Sequence, residues 1–551
     1  MTSGITDSRS AAVASANAVV LSVNSLSIDY LGQNGKSVSA LRDFSMQLHA
    51  RKAVGVLGES GSGKSTLSRA ILRLLPSNAK VVAGRIDFHG KNLLTLPRHQ
   101  LRGVRGARIA LISQEPALAL NPVLTIGKQI IDVLRAHRSV SKQEAMQQTK
   151  AMLREVGFSE PERLLQAYPH QLSGGQRQRA AIAQALICRP DLLIADEPLS
   201  SLDTITQAEI LELLHKLKRE LNLAMIFITQ NAWAISDLAE EVVVIRDGSV
   251  AAAGKFADLA GSTDDYVRGL IFPERSLQIE NSKPTRNAEQ LPAPLVQVQN
   301  VRKTFVQRHV FSRKKFAVQA LQGISFDIPE GSTTAIIGRS GSGKSTLARC
   351  IAGFEEVDEG TVLVQGAPVK GPQPDVQLIF QDAGTALNPR FTAAELISEP
   401  MEIAGLAKVH EHRERVRELM VEVGLDPDSA GRRAGEFSGG QKQRLALARA
   451  LATNPGLMIL DESLSGLDLP LQAKMLRLLL DLQKRHGLSY LHICHDLNFI
   501  GLFAREVIVM EQGRVVERAT PDGLQSSTEP ATHALMEAGE RLHAPGLEAV
   551  L

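Results

Sequence analysis

The strongest constraint on this 551-residue chain is an internal repeat. The text GESGSGKST at 58–66 returns as GRSGSGKST at 338–346. Two further motifs recur in the same order, as LSGGQRQR at 172–179 and FSGGQKQR at 437–444, and as LLIADEPLSSLD at 192–203 and LMILDESLSGLD at 457–468. Three motifs repeated in one order predict two copies of a single domain.

The boundaries of the two copies follow from a polar stretch between them, in which prolines stand at 273, 284, 292 and 294. We predict a flexible tail over 1–17, a first domain over 18–272, a linker over 273–294 and a second domain over 295–551. The first copy also has extra residues between its first repeated motif and Gln114, within a polar, basic stretch from Lys80 to Arg108. Because surface connections tolerate insertions, we expect a surface hairpin or loop there.

Short apolar runs alternate with helical patterns in each copy, which is typical of a parallel α/β sheet. The strands predicted in this way are 53–57, 192–195, 225–229 and 242–245 in the first copy, and 334–337, 457–460, 490–494 and 507–510 in the second.

Composition excludes several classes of protein. Apolar residues make up 44% and charged residues 22%, which indicates a folded chain rather than a disordered one, and the net charge of +3 is too small for a global nucleic-acid footprint. Three isolated cysteines (Cys188, Cys350 and Cys494) predict neither a disulfide framework nor a zinc or iron–sulfur cluster, and they fit a reducing, cytoplasmic compartment. We expect no membrane span and no secretion signal, because no apolar run is long enough.

The first repeated motif has the pattern GxxxxGK[ST], whose glycines let backbone N–H groups surround a phosphate at the start of a helix. Lys64 and Lys344 are predicted to hold the β- and γ-phosphates, and Ser65 and Ser345 to bind Mg²⁺. A glycine turn without a ligand is the alternative, but two copies that each follow an apolar strand disfavour it. The predicted nucleotide-binding residues here are Gly58, Ser60, Gly61, Gly63, Lys64, Ser65, Thr66, Gly338, Ser340, Gly341, Gly343, Lys344, Ser345 and Thr346.

An acidic pair ends one apolar run in each copy. Asp196 and Asp461 are placed for Mg²⁺, and the following Glu197 and Glu462 could polarise or orient an attacking water. On its own such a pair is more often a cap or a solvated turn, so the phosphate loop upstream favours catalysis.

The SGGQ motif is predicted to start a helix, with serine as the N-cap and glycines that let the backbone approach an anion closely. A simple capping turn is the alternative. The residues concerned are Ser173, Gly174, Gly175, Gln176, Ser438, Gly439, Gly440 and Gln441.

Together these motifs make both halves resemble the nucleotide-binding domains of ATP-binding cassette (ABC) transporters. The resemblance implies an α/β fold of two tandem P-loop (RecA-like) domains, each with a helical signature subdomain and an antiparallel β subdomain. It also implies that the halves pair head to tail within the chain, so that each ATP lies between the phosphate loop of one half and the SGGQ signature of the other. The family's further site residues match Tyr30 and Phe305 for adenine stacking, Gln114 and Gln381 for the nucleotide and its metal, and Asp203 and Asp468 for linking the two sites.

Longer segments around these motifs resemble the sequences of ATPases from dipeptide, oligopeptide, nickel and glutathione importers. The segments are EPALALNPVLTIGKQI at 115–130, YPHQLSGGQRQR at 168–179 and QDAGTALNPRFTAAELISEPM at 381–401. This implies an ATPase that uses ATP and Mg²⁺ to drive import of peptides or related small solutes. Its expected partners are two integral-membrane permease subunits and an extracytoplasmic solute-binding protein, with no nucleic acid, and its expected place is peripheral, on the cytoplasmic face of the inner membrane.

A soluble tandem ATPase acting on ribosomes or nucleic acid is the alternative function. Relatives of that kind usually have a long charged helical linker, coiled coils or zinc-binding cysteines. The Pro-rich linker and the isolated cysteines fit none of these, so transport is favoured.

The two halves differ at one position that the family uses in hydrolysis, a histidine after the sixth core strand. His495 matches it in the second half, whereas Gln230 stands at the same spacing from Glu197 as His495 does from Glu462. A glutamine amide can donate a hydrogen bond but cannot carry a proton as imidazole does. We therefore predict that the site of Glu462 and His495 is the more active one; the alternative is two equally active sites.

Overall fold

The computed structural model describes residues 18–32, 37–114, 119–200, 202–272, 293–308, 315–380, 383–406, 409–464, 467, 469–494 and 497–542. Most described residues before 273 form one compact unit, and those of 293–540 form a second. The predicted tail over 1–17 and all but the last two residues of the predicted linker lie outside the described residues. The first strand of the second unit starts at Pro294.

The first unit contains two sheets. Its strands are β1 (Val19–Leu31), β2 (Ser37–His49), β3 (Ala53–Leu57), β4 (Ala79–Phe88), β5 (Lys91–Asn92), β6 (Ile109–Ile112), β7 (Leu192–Asp196), β8 (Ala224–Thr229), β9 (Glu241–Arg246) and β10 (Ser249–Gly254). An antiparallel sheet has the order β2-β1-β4-β5, and a six-stranded sheet has the order β10-β9-β3-β8-β7-β6. In the six-stranded sheet β10 is antiparallel to β9, and the remaining neighbours are parallel.

The second unit repeats this topology. Its strands are β11 (Pro294–Arg308), β12 (Lys315–Pro329), β13 (Thr333–Ile337), β14 (Glu359–Val364), β15 (Ala367–Pro368), β16 (Val376–Ile379), β17 (Leu457–Asp461), β18 (Ser489–Ile493), β19 (Glu506–Glu511) and β20 (Arg514–Ala519). The orders β12-β11-β14-β15 and β20-β19-β13-β18-β17-β16 are the counterparts of those in the first unit.

Helices connect and cover these sheets. Those of the first unit are Lys64–Ile71, Arg98–Val104, Ile126–His137, Lys142–Glu155, Pro161–Gln166, Gly174–Leu186, Thr204–Glu220, Trp233–Ser236, Phe256–Ala260 and Asp265–Ile271, and those of the second are Lys344–Ile351, Ala383–Ala386, Ala393–Ala404, Val409–Glu422, Gly439–Leu451, Leu469–His486, Leu497–Phe503 and Pro530–Leu542. Within the described ranges, no helix has the length and apolar character that crossing a bilayer requires.

The core strands form where the apolar runs predict them. Every residue of β3, β7 and β8 is buried, as is every residue of β13, β17 and β18, which is the pattern of strands covered on both faces. Each predicted strand ends within one residue of an observed one. The α/β fold, the antiparallel β subdomain and the helical region before each SGGQ motif agree with the expectation.

The stretch from Lys80 to Arg108 agrees only in part with the expected surface hairpin or loop. β4 and β5 form the hairpin, but the residues after it include the helix Arg98–Val104. Leu101 is buried, Val104 packs against the core, and the Arg105 guanidinium donates to the carbonyl oxygens of Leu72 and Arg73, so these contacts hold the short helix against the domain. The hairpin agrees with the expectation, whereas the helix after it was not predicted.

Candidate functional site

The topology brings the phosphate loop and the acidic pair to one edge of each parallel sheet. In the first unit the phosphate loop follows β3, Gln230 follows β8 and Asp196 ends β7, and these three strands are adjacent. Parallel strands place their carboxyl ends on the same edge, where α/β proteins bind ligands. The same placement holds in the second unit for β13 and β17.

The phosphate loop turns sharply into a helix that begins at Lys64 in the first unit and at Lys344 in the second. The residue before each lysine, Gly63 or Gly343, has a positive φ of 110° or 103°. A Cβ atom on Gly63 would lie 2.4 Å from the carbonyl oxygen of Ala40, so this turn requires glycine. The N–H groups at the start of the helix are thereby available to an anion.

Each phosphate-loop lysine is buried and lies against its own loop. The Lys64 Nζ donates to the carbonyl oxygens of Gly58 and Glu59, both at 2.7 Å. The Lys344 Nζ donates in the same way to Gly338 and to the residue after it, at 2.7 and 2.9 Å. Burial lowers the pKa of Lys344 from its ordinary value, and the nearby carboxylates of Glu462 and Asp461 oppose that shift.

The serine after each lysine lies beside the aspartate that ends β7 or β17. The Ser65 hydroxyl donates to Asp196 Oδ1 at 3.3 Å, and the Ser345 hydroxyl donates to Asp461 Oδ1 at 3.0 Å. Burial raises the pKa of Asp461, whereas the bond from Ser345 lowers it. A hydroxyl and a carboxylate side by side are the hard oxygen ligands that Mg²⁺ prefers, so these residues fit that ion.

The glutamate that follows each aspartate has a left-handed backbone, with φ values of 49° at Glu197 and 50° at Glu462. Their N–H groups donate to the carbonyl oxygens of Ile228 and Ile493, at 2.8 and 3.0 Å, so the neighbouring strand fixes this conformation. Such a conformation is uncommon in residues other than glycine, and it often marks a functional position.

In the first unit two amide side chains bind the carboxylate of Glu197. The Nε2 of Gln114 donates to Oε2 at 2.9 Å, and the Nε2 of Gln230 donates to Oε1 at 2.8 Å. The sequence therefore identified three residues that the fold does bring together. Their counterparts Gln381 and His495, and also Asp468, lie outside the described residues.

Each SGGQ motif starts a helix, Gly174–Leu186 or Gly439–Leu451, with its serine as the N-cap. The Ser173 hydroxyl accepts from the N–H of Gln176 at 3.2 Å, and the Gln176 side chain accepts from the N–H of Ser173. Ser438 and Gln441 make the same pair of bonds. The serine cap agrees with the expectation from the sequence.

The second glycine of each signature is also fixed by packing. A Cβ atom on Gly175 would lie 2.5 Å from the methyl carbon of Thr206, and one on Gly440 would lie 2.7 Å from a methyl carbon of Leu471. Contacts this close require the methyl group of the neighbouring side chain to move, so the signature helix packs closely against the next helix at this position.

The two aromatic residues expected beside adenine occupy the same position in their hairpins. Tyr30 on β1 pairs with Val38, and Phe305 on β11 pairs with Val318. The Tyr30 hydroxyl lies 3.3 Å from Oγ1 of Thr66 in the phosphate loop. Phe305 therefore holds the place in its hairpin that Tyr30 holds in the first hairpin.

Comparisons with known proteins agree with this geometry. The family model described as ABC transporter matches residues 41–200 and 321–465. The chain belongs to the ABC transporter family. It is 38% identical to the glutathione import ATP-binding protein GsiA of Salmonella paratyphi A (strain ATCC 9150 / SARB42), over 94% of this chain and 89% of that protein. It is also 38% identical to the uncharacterized ABC transporter ATP-binding protein YejF of Escherichia coli (strain K12), over 91% of this chain and 95% of that protein.

Membership of the ABC family establishes the class of reaction. The chain is an ATPase that couples hydrolysis of ATP to transmembrane solute transport. Its resemblance to fused ATP-binding proteins of the peptide and nickel importer group, expected from the sequence, is confirmed.

Four polar contacts in this ABC chain involve side chains to which the sequence motifs assign no role. The Nε2 of Gln178 donates to the carbonyl oxygen of Pro198 at 2.7 Å, and Gln443 repeats this bond in the second unit. The Tyr266 hydroxyl accepts from the N–H of Glu59 at 3.3 Å, which fixes the start of the first phosphate loop. The Ser68 hydroxyl donates to Asp196. Of these side chains, Gln178 and Gln443 lie in a repeated motif. A comparison of the two halves could therefore have identified this pair from the sequence.

Proposed function

We propose that this ABC ATPase powers an importer of peptides or related small solutes. The observation that carries the proposal is its 38% identity, over 94% of the chain, to a protein named for glutathione import. Glutathione is a tripeptide, so that name fits the peptide-type resemblance of the motifs.

The proposed partners are two integral-membrane permease subunits and an extracytoplasmic solute-binding protein. The chain would act at the cytoplasmic face of the inner membrane as a peripheral subunit. Its helical regions Ile126–Gln166 and Ala393–Glu422 would contact the permease, as the resemblance implies. The halves would pair so that each nucleotide meets the phosphate loop of one and the signature of the other.

The contacts of the described residues support a specific role for each residue at the nucleotide. Lys64 and Lys344 hold the β- and γ-phosphates, because each buried amine lies against the backbone of its own phosphate loop. The metal ligands proposed are Ser65, Gln114 and Asp196 in the first half and Ser345, Gln381 and Asp461 in the second. Mg²⁺ bound there would neutralise phosphate charge.

Hydrolysis is proposed to depend on Glu197 and Glu462, which orient the attacking water. Both oxygens of Glu197 accept hydrogen bonds from amides, and the amide of Gln230 neither gains nor loses a proton near neutral pH. An imidazole at His495 can do both. We therefore propose that the Glu462/His495 site hydrolyses ATP faster than the Glu197/Gln230 site.

The transport function is tested by purifying the chain with its native partners and measuring ATPase activity in proteoliposomes. We expect integral-membrane proteins to co-purify, and the permease with loaded solute-binding protein to raise the rate over that of the chain alone. The matched control is the same reconstitution with solute-binding protein lacking solute. Co-purification with ribosomes or nucleic acid instead, with no rate change in proteoliposomes, would contradict the proposal.

A further inference from the structure

Among the residues that the structure describes, the carboxylate of Asp196 accepts one more side-chain hydrogen bond than its counterpart Asp461. Ser68 lies one turn after Ser65 on the same helix and is 1% exposed. Its hydroxyl lies 2.7 Å from Asp196 Oδ2, while the Ser65 hydroxyl donates to Oδ1 of the same carboxylate. Both oxygens of Asp196 are therefore held by hydroxyl groups.

The second half has no hydroxyl at the equivalent position of the helix. The sequence KSTLAR at 344–349 corresponds to KSTLSR at 64–69. Ala348, which is also buried, therefore stands where the first half has Ser68. Among the described residues, the side chain that donates a hydrogen bond to the Asp461 carboxylate is Ser345. The two halves thus share the metal-ligating residues and differ in what orients them.

We propose that Ser68 is a positioning residue that makes Mg²⁺ bind more tightly at the first-half site than at the second-half site. A hydrogen bond from an outer group fixes the orientation of a ligating carboxylate, and loss of such a bond typically costs about 10- to 100-fold in metal affinity. With Oδ2 held by Ser68, Oδ1 stays beside Ser65, where the two oxygens can bind one ion. This inference rests on the proposed assignment of Asp196 and Asp461 as Mg²⁺ ligands.

A purely structural role for Ser68 makes a different prediction. Its hydroxyl also lies 3.0 Å from the carbonyl oxygen of Ser65, a bond within its own helix that stabilises no ligand. The carboxylate is the closer acceptor, at 2.7 Å. Since the second half folds with alanine at this position, Ser68→Ala is a conservative change, and Ala348→Ser is its reciprocal.

The test uses Mn²⁺ as a spectroscopic probe for the magnesium site. The full chain is titrated with Mn²⁺ in the presence of a non-hydrolysable ATP analogue. Electron paramagnetic resonance measures the Mn²⁺ that remains free. We expect two classes of Mn²⁺ site; Lys64→Ala should remove the tighter class and Lys344→Ala the weaker one. Ser68→Ala should weaken the tighter class about tenfold or more, and Ala348→Ser should tighten the weaker class.

The outcomes separate this inference from the proposed function. If each lysine variant removes one class but Ser68→Ala leaves the tighter class unchanged, the positioning role is overturned and the site assignment stands. If neither lysine variant removes a class of Mn²⁺ site, the site assignment fails and the inference fails with it. A circular-dichroism spectrum of Ser68→Ala that matches the unaltered protein shows that a changed affinity does not come from unfolding.

Discussion

At the scale of single residues, Glu197 and Glu462 have the same left-handed backbone conformation, whereas the sequence places Gln230 after the first and His495 after the second at the same spacing. Their left-handed φ angles, 49° and 50°, hold a conformation that costs on the order of 1–3 kcal/mol, so the fold must over-determine it. In the first half Gln114 and Gln230 then bond to both oxygens of the glutamate. These amide donors orient the carboxylate, and neither amide takes up a proton near neutral pH.

A buried histidine predicts how stability depends on pH. Both ring nitrogens of His492 on β18 lack a hydrogen-bond partner in the part of the chain that the structure describes, and the ring packs against Phe503. Burial lowers its pKa from the ordinary 6.5 to about 4. The unfolded chain therefore binds the proton more readily, and stability falls as pH drops from about 6.5 towards 4.

The control for this prediction is present in the first half, where fully buried Phe227 occupies the equivalent strand position. We expect His492 to cost about 2 kcal/mol of unfolding free energy between pH 7 and pH 5, and His492→Phe to remove that loss. Denaturant unfolding of the full chain and the variant at both pH values measures it. An equal fall in stability for both proteins would show that other groups cause the pH dependence.

At the scale of elements, the sequence predicts what depends on local signals. Continuous apolar runs predict the core strands, and the serine and glycines of SGGQ predict the start of a helix. The helix Arg98–Val104 has no such signal, because it is short and polar with a single buried leucine. The bond from Ser68 to Asp196 joins residues far apart in sequence, so only the folded chain reveals it.

The signature helices support a prediction about which half serves which site. Alanine at Gly175 would meet a methyl group of Thr206, and alanine at Gly440 a methyl group of Leu471, so each change perturbs the packing of its own signature helix. If signatures serve the opposite half, Gly175→Ala should reduce ATPase turnover about as much as loss of Glu462, and Gly440→Ala should be milder. Steady-state ATPase assays of both variants measure this. A milder effect of Gly175→Ala would instead assign each signature to its own half.

At the scale of the whole molecule, one fold occurs twice, and the two copies differ in residues near the proposed nucleotide sites. Each unit carries a buried lysine against a phosphate loop, a serine beside an aspartate, a strained glutamate and a capped signature helix. Near these groups the halves differ in sequence at Gln230, which corresponds to His495, and at Ser68, which corresponds to Ala348. The asymmetry proposed above would let a tandem chain keep two nucleotide sites while one of them carries most of the turnover.

The measurement that tests this account most directly compares steady-state ATPase rates of Glu197→Gln and Glu462→Gln in the assembled transporter. Removal of a catalytic acid–base group typically costs about a hundredfold or more, so Glu462→Gln should abolish nearly all turnover. Glu197→Gln should leave a substantial fraction of it, and Gln230→His should raise the rate if only the proton-exchanging group is missing. Equal losses in the two glutamate variants would contradict the account and indicate two equivalent sites.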